Sequence, residues 1–181
     1  YRLDDIVMHS LYPNPQNGIP FEHLVFLNNG DGTFTDFSDE SGLRYYQVGF
    51  FAFGDLDNDG DQDIFGGLDI GLGSPHEILL NDGTGRFLAK KDSGLEGEWN
   101  TIAGNALLAD FNGDAILDLY IGNGHTTSAA PDSYWLGNGD GSFLKATSAL
   151  QGTLLHPSNG LVACDYDADG DLDIFVSTYG V

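Results

Sequence analysis

The sequence predicts an all-β protein built from repeated units of four short antiparallel strands. Three observations support this prediction. A nine-residue acidic loop returns at a fixed period, each loop lies between two apolar runs, and a strong hairpin signal follows each one. No segment has a convincing helical period. The 181 residues are 41% hydrophobic, which is typical of a globular protein rather than a disordered one.

The acidic loops carry the strongest chemical signal in the chain. They occupy residues 55–63, 110–118 and 165–173, and 55 residues separate successive starts. In the first loop, aspartates stand at positions 1, 3, 5 and 9, and Gly60 stands at position 6, where a tight turn needs a positive φ. Alternating aspartates on such a turn direct short carboxylates at one point, and Ca²⁺ takes six to eight oxygen ligands. The spacing therefore predicts calcium sites.

The twelfth position decides which kind of calcium loop this is. An EF-hand closes its site with a glutamate at position 12, between two helices. Here that position is Gly66, Ile121 or Val176. Each loop runs from one β-like segment into the next, so we interpret it as a strand-to-strand turn that its ninth residue closes. A solvated acidic turn explains one such loop, but three copies at one period disfavour that alternative.

The repeat unit becomes clear when the chain is taken in order. Residues 1–8 match the strand that follows an acidic loop, since Asp5-Ile6-Val7 aligns with Asp63-Ile64-Phe65. Loop-like connections follow at 10–20, 69–76 and 122–132, and hairpins with Asn-Gly or Asp-Gly turns follow at 23–34, 78–87 and 134–143. We interpret the hairpin aspartates as turn formers rather than ligands.

In the second copy the predicted strands cover residues 48–54, 63–68, 77–81 and 85–90. A four-stranded unit that recurs every 40 to 55 residues or so predicts the blade of a β-propeller. The predicted division is a blade lacking its first strand at 1–42, complete blades at 43–97 and 98–152, and the first two strands of a further blade at 153–181.

The charge balance restricts the partners. The 28 acidic and 6 basic residues give a net charge of −22, which makes nucleic acid and anionic membranes poor partners. Three Ca²⁺ ions would bring this charge to about −16. No apolar run has the length of a membrane-spanning helix. The single Cys164 is expected to be a small buried strand residue. The chain begins without Met and in mid-pattern, so we expect an excerpt or a processed product.

These residues resemble the FG-GAP or VCBS repeat, the blade of the seven-bladed propeller in integrin α heads and many secreted proteins. Residues 49–55, Gly-Phe-Phe-Ala-Phe-Gly-Asp, match the strand that names the repeat, and residues 55–63 match its calcium loop. Residues 26–43 are especially similar to the cartilage acidic protein branch. The resemblance covers nearly the whole chain.

The resemblance implies a ligand set for each of three calcium sites. The first comprises the side chains of Asp55, Asp57, Asp59 and Asp63 with the Asp61 carbonyl; the second, Asp110, Asn112, Asp114 and Asp118 with the Ile116 carbonyl; the third, Asp165, Asp167, Asp169 and Asp173 with the Asp171 carbonyl. The middle loop departs from the pattern, because Asn112 replaces an aspartate and Ala115 replaces the glycine. This removes one charge and adds backbone strain unless Gly113 takes up the turn, so we expect the middle site to bind most weakly.

Three repeats do not close a propeller, which usually has four to eight blades. Both ends of the stack would present open sheet edges, which favour pairing with another chain. We expect further blades outside this sequence, and the alternative is completion by other copies in a ring or filament.

The sequence favours an extracellular, cell-surface or periplasmic interaction, adhesion or scaffold module that calcium stabilises, with a protein or glycan partner. The alternative is a lectin-like propeller that binds carbohydrate through Trp99, Tyr134 and Trp135, although packing between blades also explains the last two. An enzyme is disfavoured, because the sequence has no nucleophile elbow or phosphate loop and its histidines lack ligand spacing. The five histidines are His9, His23, His76, His125 and His156.

Overall fold

Regular structure in the described part of the chain is entirely β. The computed structural model describes residues 6–9, 22–46, 48–67, 76–96, 103–124, 131–146 and 157–178. Within these ranges the strands are β1 (Ile6–His9), β2 (His23–Asn28), β3 (Phe34–Asp36), β4 (Phe50–Gly54), β5 (Asp63–Gly67), β6 (Glu77–Asn81), β7 (Phe87–Ala89), β8 (Ala103–Ala109), β9 (Asp118–Asn123), β10 (Ser133–Gly137), β11 (Phe143–Lys145), β12 (Ser158–Cys164) and β13 (Asp173–Thr178). None of these ranges holds a helix long and apolar enough to cross a membrane.

The strands form four antiparallel sheets in which neighbours along the chain are neighbours in the sheet. The sheets are β1-β2-β3, β4-β5-β6-β7, β8-β9-β10-β11 and the two-stranded β12-β13. The predicted unit of four antiparallel strands is confirmed in the second and third sheets. In the second sheet each observed strand starts and ends within two residues of its prediction.

The hydrophobic core lies between successive sheets. One cluster joins the first sheet to the second, and its buried members are Val25, Leu43, Ile64 and Leu79. A larger cluster joins the second to the third: Leu56, Phe65, Ile78, Leu95, Ala106, Leu119, Ile121, Trp135 and Phe143. Neighbouring residues of β5 serve both clusters, because successive strand side chains point to opposite faces. Every residue of β5 and of β9 is buried, so these inner strands are covered on both faces.

Short turns after β3 and β7 fasten the first sheet to the second and the second sheet to the third. The backbone N–H of Phe87 donates to the Ser41 carbonyl at 2.9 Å, and the N–H of Phe143 donates to the Ser93 carbonyl at 2.8 Å. Leu43 and Leu95, two residues further on, are fully buried. The Ser-Gly-Leu segments at 41–43 and 93–95 thus act as clamps between sheets, a role that the sequence analysis did not assign.

The last sheet carries apolar side chains on an exposed face. Val162, Tyr166 and Phe175 are exposed, and the rings of Tyr166 and Phe175 are in edge contact with centroids 5.3 Å apart. Leu56 and Phe65, which hold the positions of Tyr166 and Phe175 in the second repeat, are buried against the third sheet. This face therefore has the composition of a sheet-to-sheet interface.

The expectation that Cys164 is buried is wrong. It ends β12, as predicted for a strand residue, but its side chain is exposed. Its counterpart Gly54 is buried, and a Cβ there would meet Leu117 and Leu108 of the third sheet. In the described part of the chain no sheet packs over the corresponding face of β12-β13, so Cys164 lacks that cover.

Candidate metal centres

The first acidic loop joins β4 to β5 and gathers three carboxylates. One oxygen from each of Asp55, Asp57 and Asp63 lies within 4.8 Å of the others. Asp63 is fully buried at the start of β5, whereas Asp55 and Asp57 are partly buried. The loop thus presents a compact cluster of anionic oxygens, and the buried Asp63 attaches this cluster to the sheet.

The loop is curled by its own side chains. Asp57 Oδ1 accepts the backbone N–H of Asp59 at 3.3 Å, and Asp59 Oδ1 accepts the N–H of Asp61 at 3.1 Å. Aspartates that accept a backbone N–H two residues on stabilise tight turns. Positive φ angles at Asn58 (60°) and Gly60 (96°) complete the curl.

Asp63 ties the loop to the rest of the sheet. Its Oδ2 accepts the N–H of Leu56 and its Oδ1 accepts the N–H of Asn81 in β6, both at 2.8 Å. Burial raises the pKa of Asp63, although these N–H donors oppose the shift. Burial, followed by the charge of neighbouring Asp59, also raises the pKa of Asp57. The cluster is therefore electrostatically unfavourable unless a cation or protons offset its charge.

One oxygen of this cluster gives a test of whether a metal fits. Asp55 Oδ1 is buried and accepts no hydrogen bond, while Asp55 Oδ2 accepts the N–H of Gly60 at 3.1 Å. A buried carboxylate oxygen without a partner is costly, and hard oxygen ligands suit Ca²⁺. The residues of this loop fit a calcium ion.

The third loop, between β12 and β13, repeats this arrangement on a more exposed surface. Oxygens of Asp165, Asp167 and Asp173 lie within 4.8 Å of one another. Asp173 Oδ2 accepts the N–H of Tyr166 at 2.9 Å, just as Asp63 accepts that of Leu56. Asp165 Oδ2 accepts the N–H of Gly170 at 3.1 Å.

The middle loop, between β8 and β9, differs from the other two. At the ligand positions where the other loops bring carboxylates together, its side chains are engaged in hydrogen bonds. Asn112 occupies position 3, and its Nδ2 donates to Asp114 Oδ2 at 3.0 Å. Asp110 accepts three backbone N–H groups, and that of Ala115 is the main cause of its lowered pKa. Tyr134 donates its hydroxyl to Asp118 Oδ2 at 2.6 Å. No pattern in the sequence predicts the contact of Tyr134 with this loop.

Backbone strain does not single out the middle loop, contrary to our expectation. Gly113 has a φ of 77°, but Ala115 still has one of 66°, so the glycine does not take up the turn in its place. In the third loop Ala168 has a φ of 63°. Each of these two loops therefore holds one alanine in the left-handed region, at a cost of roughly 1 to 2 kcal/mol. Position 4 of each loop therefore has a positive φ, as position 6 does, and the aspartate spacing does not predict this.

Two of the three aromatic residues considered for carbohydrate binding lie in the described part. Trp135 is buried, donates its indole N–H to Ser133 Oγ at 3.0 Å, and has Lys145 Nζ 5.0 Å from its ring centroid. The hydroxyl of Tyr134 is bonded to Asp118. Trp99 lies outside the described residues. A role of these residues in carbohydrate binding stays a prediction.

The hairpin aspartates form turns, as the sequence analysis predicted. Asp31, Asp82 and Asp140 each accept, on one oxygen, both the backbone N–H and the side-chain hydroxyl of the residue two positions on. These hydrogen bonds lower the pKa of all three carboxyls.

Comparison with known proteins agrees with this arrangement. Residues 4–66 and 110–176 match the FG-GAP-like repeat family, which together is more than half of the chain. Among curated proteins, the chain is similar to cartilage acidic protein 1 of Xenopus tropicalis, at 26% identity over 178 residues. The match covers 92% of this chain but only 26% of that relative.

Proposed function

Because the chain belongs to the FG-GAP-like repeat family, we propose that it is a calcium-stabilised interaction module that works outside the cell or at its surface. The observation that carries the proposal is the cluster of Asp55, Asp57 and Asp63, in which Oδ1 of Asp55 is buried and accepts no hydrogen bond. The name of the Xenopus relative, which refers to cartilage, supports an extracellular setting.

In this proposal the metal is structural. Asp55, Asp57, Asp59 and Asp63 hold the first ion with the Asp61 carbonyl, the third loop holds another in the same way, and the middle loop is the weakest site. A bound Ca²⁺ offsets the repulsion among the carboxylates. Asp63 then couples the ordered loop to the sheet, because it accepts hydrogen bonds from the backbone N–H groups of Leu56 in the loop and Asn81 in β6. The aspartates act as ligands rather than as acids or bases, which favours a non-enzymatic role.

The expected affinity suits an extracellular environment. Extracellular calcium modules bind with dissociation constants of about 10⁻⁴ to 10⁻³ M. At a free concentration ten times the dissociation constant, each site stabilises the fold by about 1.4 kcal/mol. Two or three such sites form a substantial part of the stability of a typical domain, which is about 5 to 15 kcal/mol.

We further propose that the sheets are propeller blades divided at 1–42, 43–97, 98–152 and 153–181, and that a protein or glycan partner binds the propeller face. The packing of successive sheets supports the blade arrangement. Further blades then complete the ring, and completion by other copies of the chain is the alternative. The exposed apolar face of β12-β13 suits either. Carbohydrate binding is the second candidate function, and it now depends mainly on Trp99, because Trp135 is buried.

The test is thermal unfolding with and without a few millimolar Ca²⁺, with Mg²⁺ at equal concentration as the ionic control. We expect Ca²⁺ to raise the melting temperature of the chain markedly more than Mg²⁺ does. Asp57→Asn should reduce the rise, because it removes one ligand charge. The matched control Asp92→Asn removes an exposed charge at a turn with a φ of 57°, which asparagine tolerates, and should leave the rise unchanged.

Light scattering on the same samples separates the alternatives. A calcium-dependent rise at monomer size supports a structural calcium module with further blades elsewhere. A rise accompanied by large particles supports completion between copies. The same melting temperature in Ca²⁺ and Mg²⁺ would contradict the proposed function.

A further inference from the structure

We propose that Asn112 keeps the middle loop free of calcium at concentrations that fill the loops at 55–63 and 165–173. The chain then binds two ions rather than three, and the middle loop is closed by its own donors. This inference rests on the proposed function, because it concerns which of the acidic loops take the ion.

The orientation of the Asn112 amide is the first step. Its Oδ1 accepts the N–H of Asp114 at 2.9 Å, and Oδ1 of Asp57 and of Asp167 accepts the corresponding N–H at 3.3 Å. The other terminal atom at this position is a carboxylate oxygen in Asp57 and Asp167, but it is Nδ2 in Asn112. An amide nitrogen that carries two hydrogens is a donor only, so it cannot ligate a cation.

That amide is also engaged with the next ligand position. Asn112 Nδ2 donates to Asp114 Oδ2 at 3.0 Å, and Asp114 Oδ1 accepts the N–H of Ile116 at 2.9 Å. Turning the amide over would aim its oxygen at the metal, but it would break the bond from the Asp114 N–H and face that N–H with another donor, leaving it only its 3.1 Å bond to Asp110 Oδ1. The present arrangement therefore disfavours an ion in two ways. Asn112 presents no oxygen to it, and Asp114 Oδ2 already accepts a hydrogen bond.

The remaining carboxylates of the middle loop also have donors. Asp110 Oδ1 and Oδ2 both accept backbone N–H groups, at 2.7 Å from Gly113 and 2.8 Å from Ala115. Asp118 accepts the N–H of Gly137 on Oδ1 at 3.0 Å and the hydroxyl of Tyr134 on Oδ2. The first loop differs, because Asp55 Oδ1 is buried without a donor. That loop has an oxygen for a cation to satisfy, whereas both oxygens of Asp110 are already satisfied. Both oxygens of Asp165 also accept N–H groups, from Asp169 at 3.2 Å and from Gly170 at 3.1 Å, so the third loop differs from the middle loop in its position-3 carboxylate and its charge rather than in a free oxygen at position 1.

Charge favours the same assignment. The loops at 55–63 and 165–173 hold five carboxylates each, while the loop at 110–118 holds three. Calcium affinity depends on the number of charged ligands, and self-repulsion without the metal rises with the number of carboxylates. The middle loop should therefore bind an ion less tightly, and carboxylate repulsion should destabilise it less when no ion is bound.

The experiment is a count of bound calcium by equilibrium dialysis at about 10 mM free Ca²⁺, roughly ten times the weakest dissociation constant expected for the filled loops, on the chain and on three variants. We expect two ions for the unchanged chain. Asn112→Asp restores the missing oxygen and should bind three. Asp57→Asn is the matched control, because it places the amide of the middle loop in the first loop, and it should bind one. Tyr134→Phe removes only the hydroxyl and should still bind two.

A second readout identifies the loop. In ¹H–¹⁵N spectra recorded during a Ca²⁺ titration, the amides of Gly60 and Gly170 should shift while that of Gly113 stays fixed, and Asn112→Asp should make Gly113 shift as well. Three ions in the unchanged chain, a shift of Gly113 in it, or two ions in a folded Asn112→Asp variant would each overturn the inference. If the chain and all variants bind none, the proposed function itself fails, and the inference with it.

Discussion

The hairpin aspartates are residues whose charge has a specific structural use. Asp82 Oδ1 accepts the backbone N–H of Thr84 at 2.9 Å and its hydroxyl at 2.5 Å. The hydroxyl is the main cause of the lowered pKa of this carboxyl. An acid whose pKa is lower in the folded state stabilises the fold above its unfolded pKa, about 3.9, and this contribution is lost as the pH falls through the folded pKa.

Thr84→Val tests this contribution, because valine keeps the shape and removes the hydroxyl. We expect the variant to be less stable than the unchanged chain at pH 7, with a difference that shrinks as the pH falls below about 4. Urea unfolding at several pH values measures it. The control Thr35→Val removes a hydroxyl that donates to the non-titrating amide of Asn29, at 3.0 Å, so its effect should not vary with pH. Equal pH profiles for the two variants would contradict the account.

At the residue scale, the candidate metal centres also show what the sequence can and cannot predict. The aspartate spacing predicted the clusters at 55–63 and 165–173, because ligand positions within one loop are local in sequence. The bond from Tyr134 to Asp118 joins residues 16 positions apart on neighbouring strands, and it depends on their register. No sequence pattern within the loop predicts such a contact.

At the scale of elements, the clamps between sheets are the clearest addition to the sequence prediction. Asn-Gly and Asp-Gly turns between apolar runs predicted the hairpins, since turn type depends on a few adjacent residues. The partner of a turn such as 93–95 lies in the next repeat, where its carbonyl accepts the N–H of Phe143. The exposure of Cys164 was missed for a similar reason, because burial of a strand depends on the sheet beside it.

Gly94→Ala tests the clamp between the second and third sheets. Gly94 has a φ of 87°, and a Cβ there would lie 2.1 Å from the Phe143 carbonyl oxygen. The matched control is Gly32→Ala, because Gly32 has a φ of 89° and open space around it. Left-handed strain costs both variants about 1 to 2 kcal/mol, and the clash should cost Gly94→Ala at least about 1 kcal/mol more.

The unfolding free energies of the two variants, measured in urea, give the comparison. Their difference reports the contact between the sheets alone, since the backbone strain is common to both. Equal losses would mean that the turn at 93–95 moves aside readily and does not clamp the sheets.

The whole molecule is organised around excess negative charge. Of 28 acidic residues, ten lie in the loops at 55–63 and 165–173, and only 6 basic residues balance the total. Within each of these loops the fold holds carboxylates that repel one another within 4.8 Å, and the raised pKa values of Asp57 and Asp63 reflect their burial and the surrounding charge. Calcium and simple salt should therefore both stabilise the fold, but by different means.

We expect sodium chloride to raise the melting temperature of the calcium-free chain and to reduce the further rise that Ca²⁺ produces. Raising the salt from 0.1 M to 1 M shortens the screening length from about 10 Å to about 3 Å, which weakens repulsion between loops and also weakens attraction of the cation. Chloride is the appropriate anion, because sulfate strengthens apolar burial independently of charge. Circular dichroism melts at several salt concentrations, each with and without Ca²⁺, measure both effects. A melting temperature of the calcium-free chain that stays constant or falls with added salt would show that charge repulsion does not limit its stability.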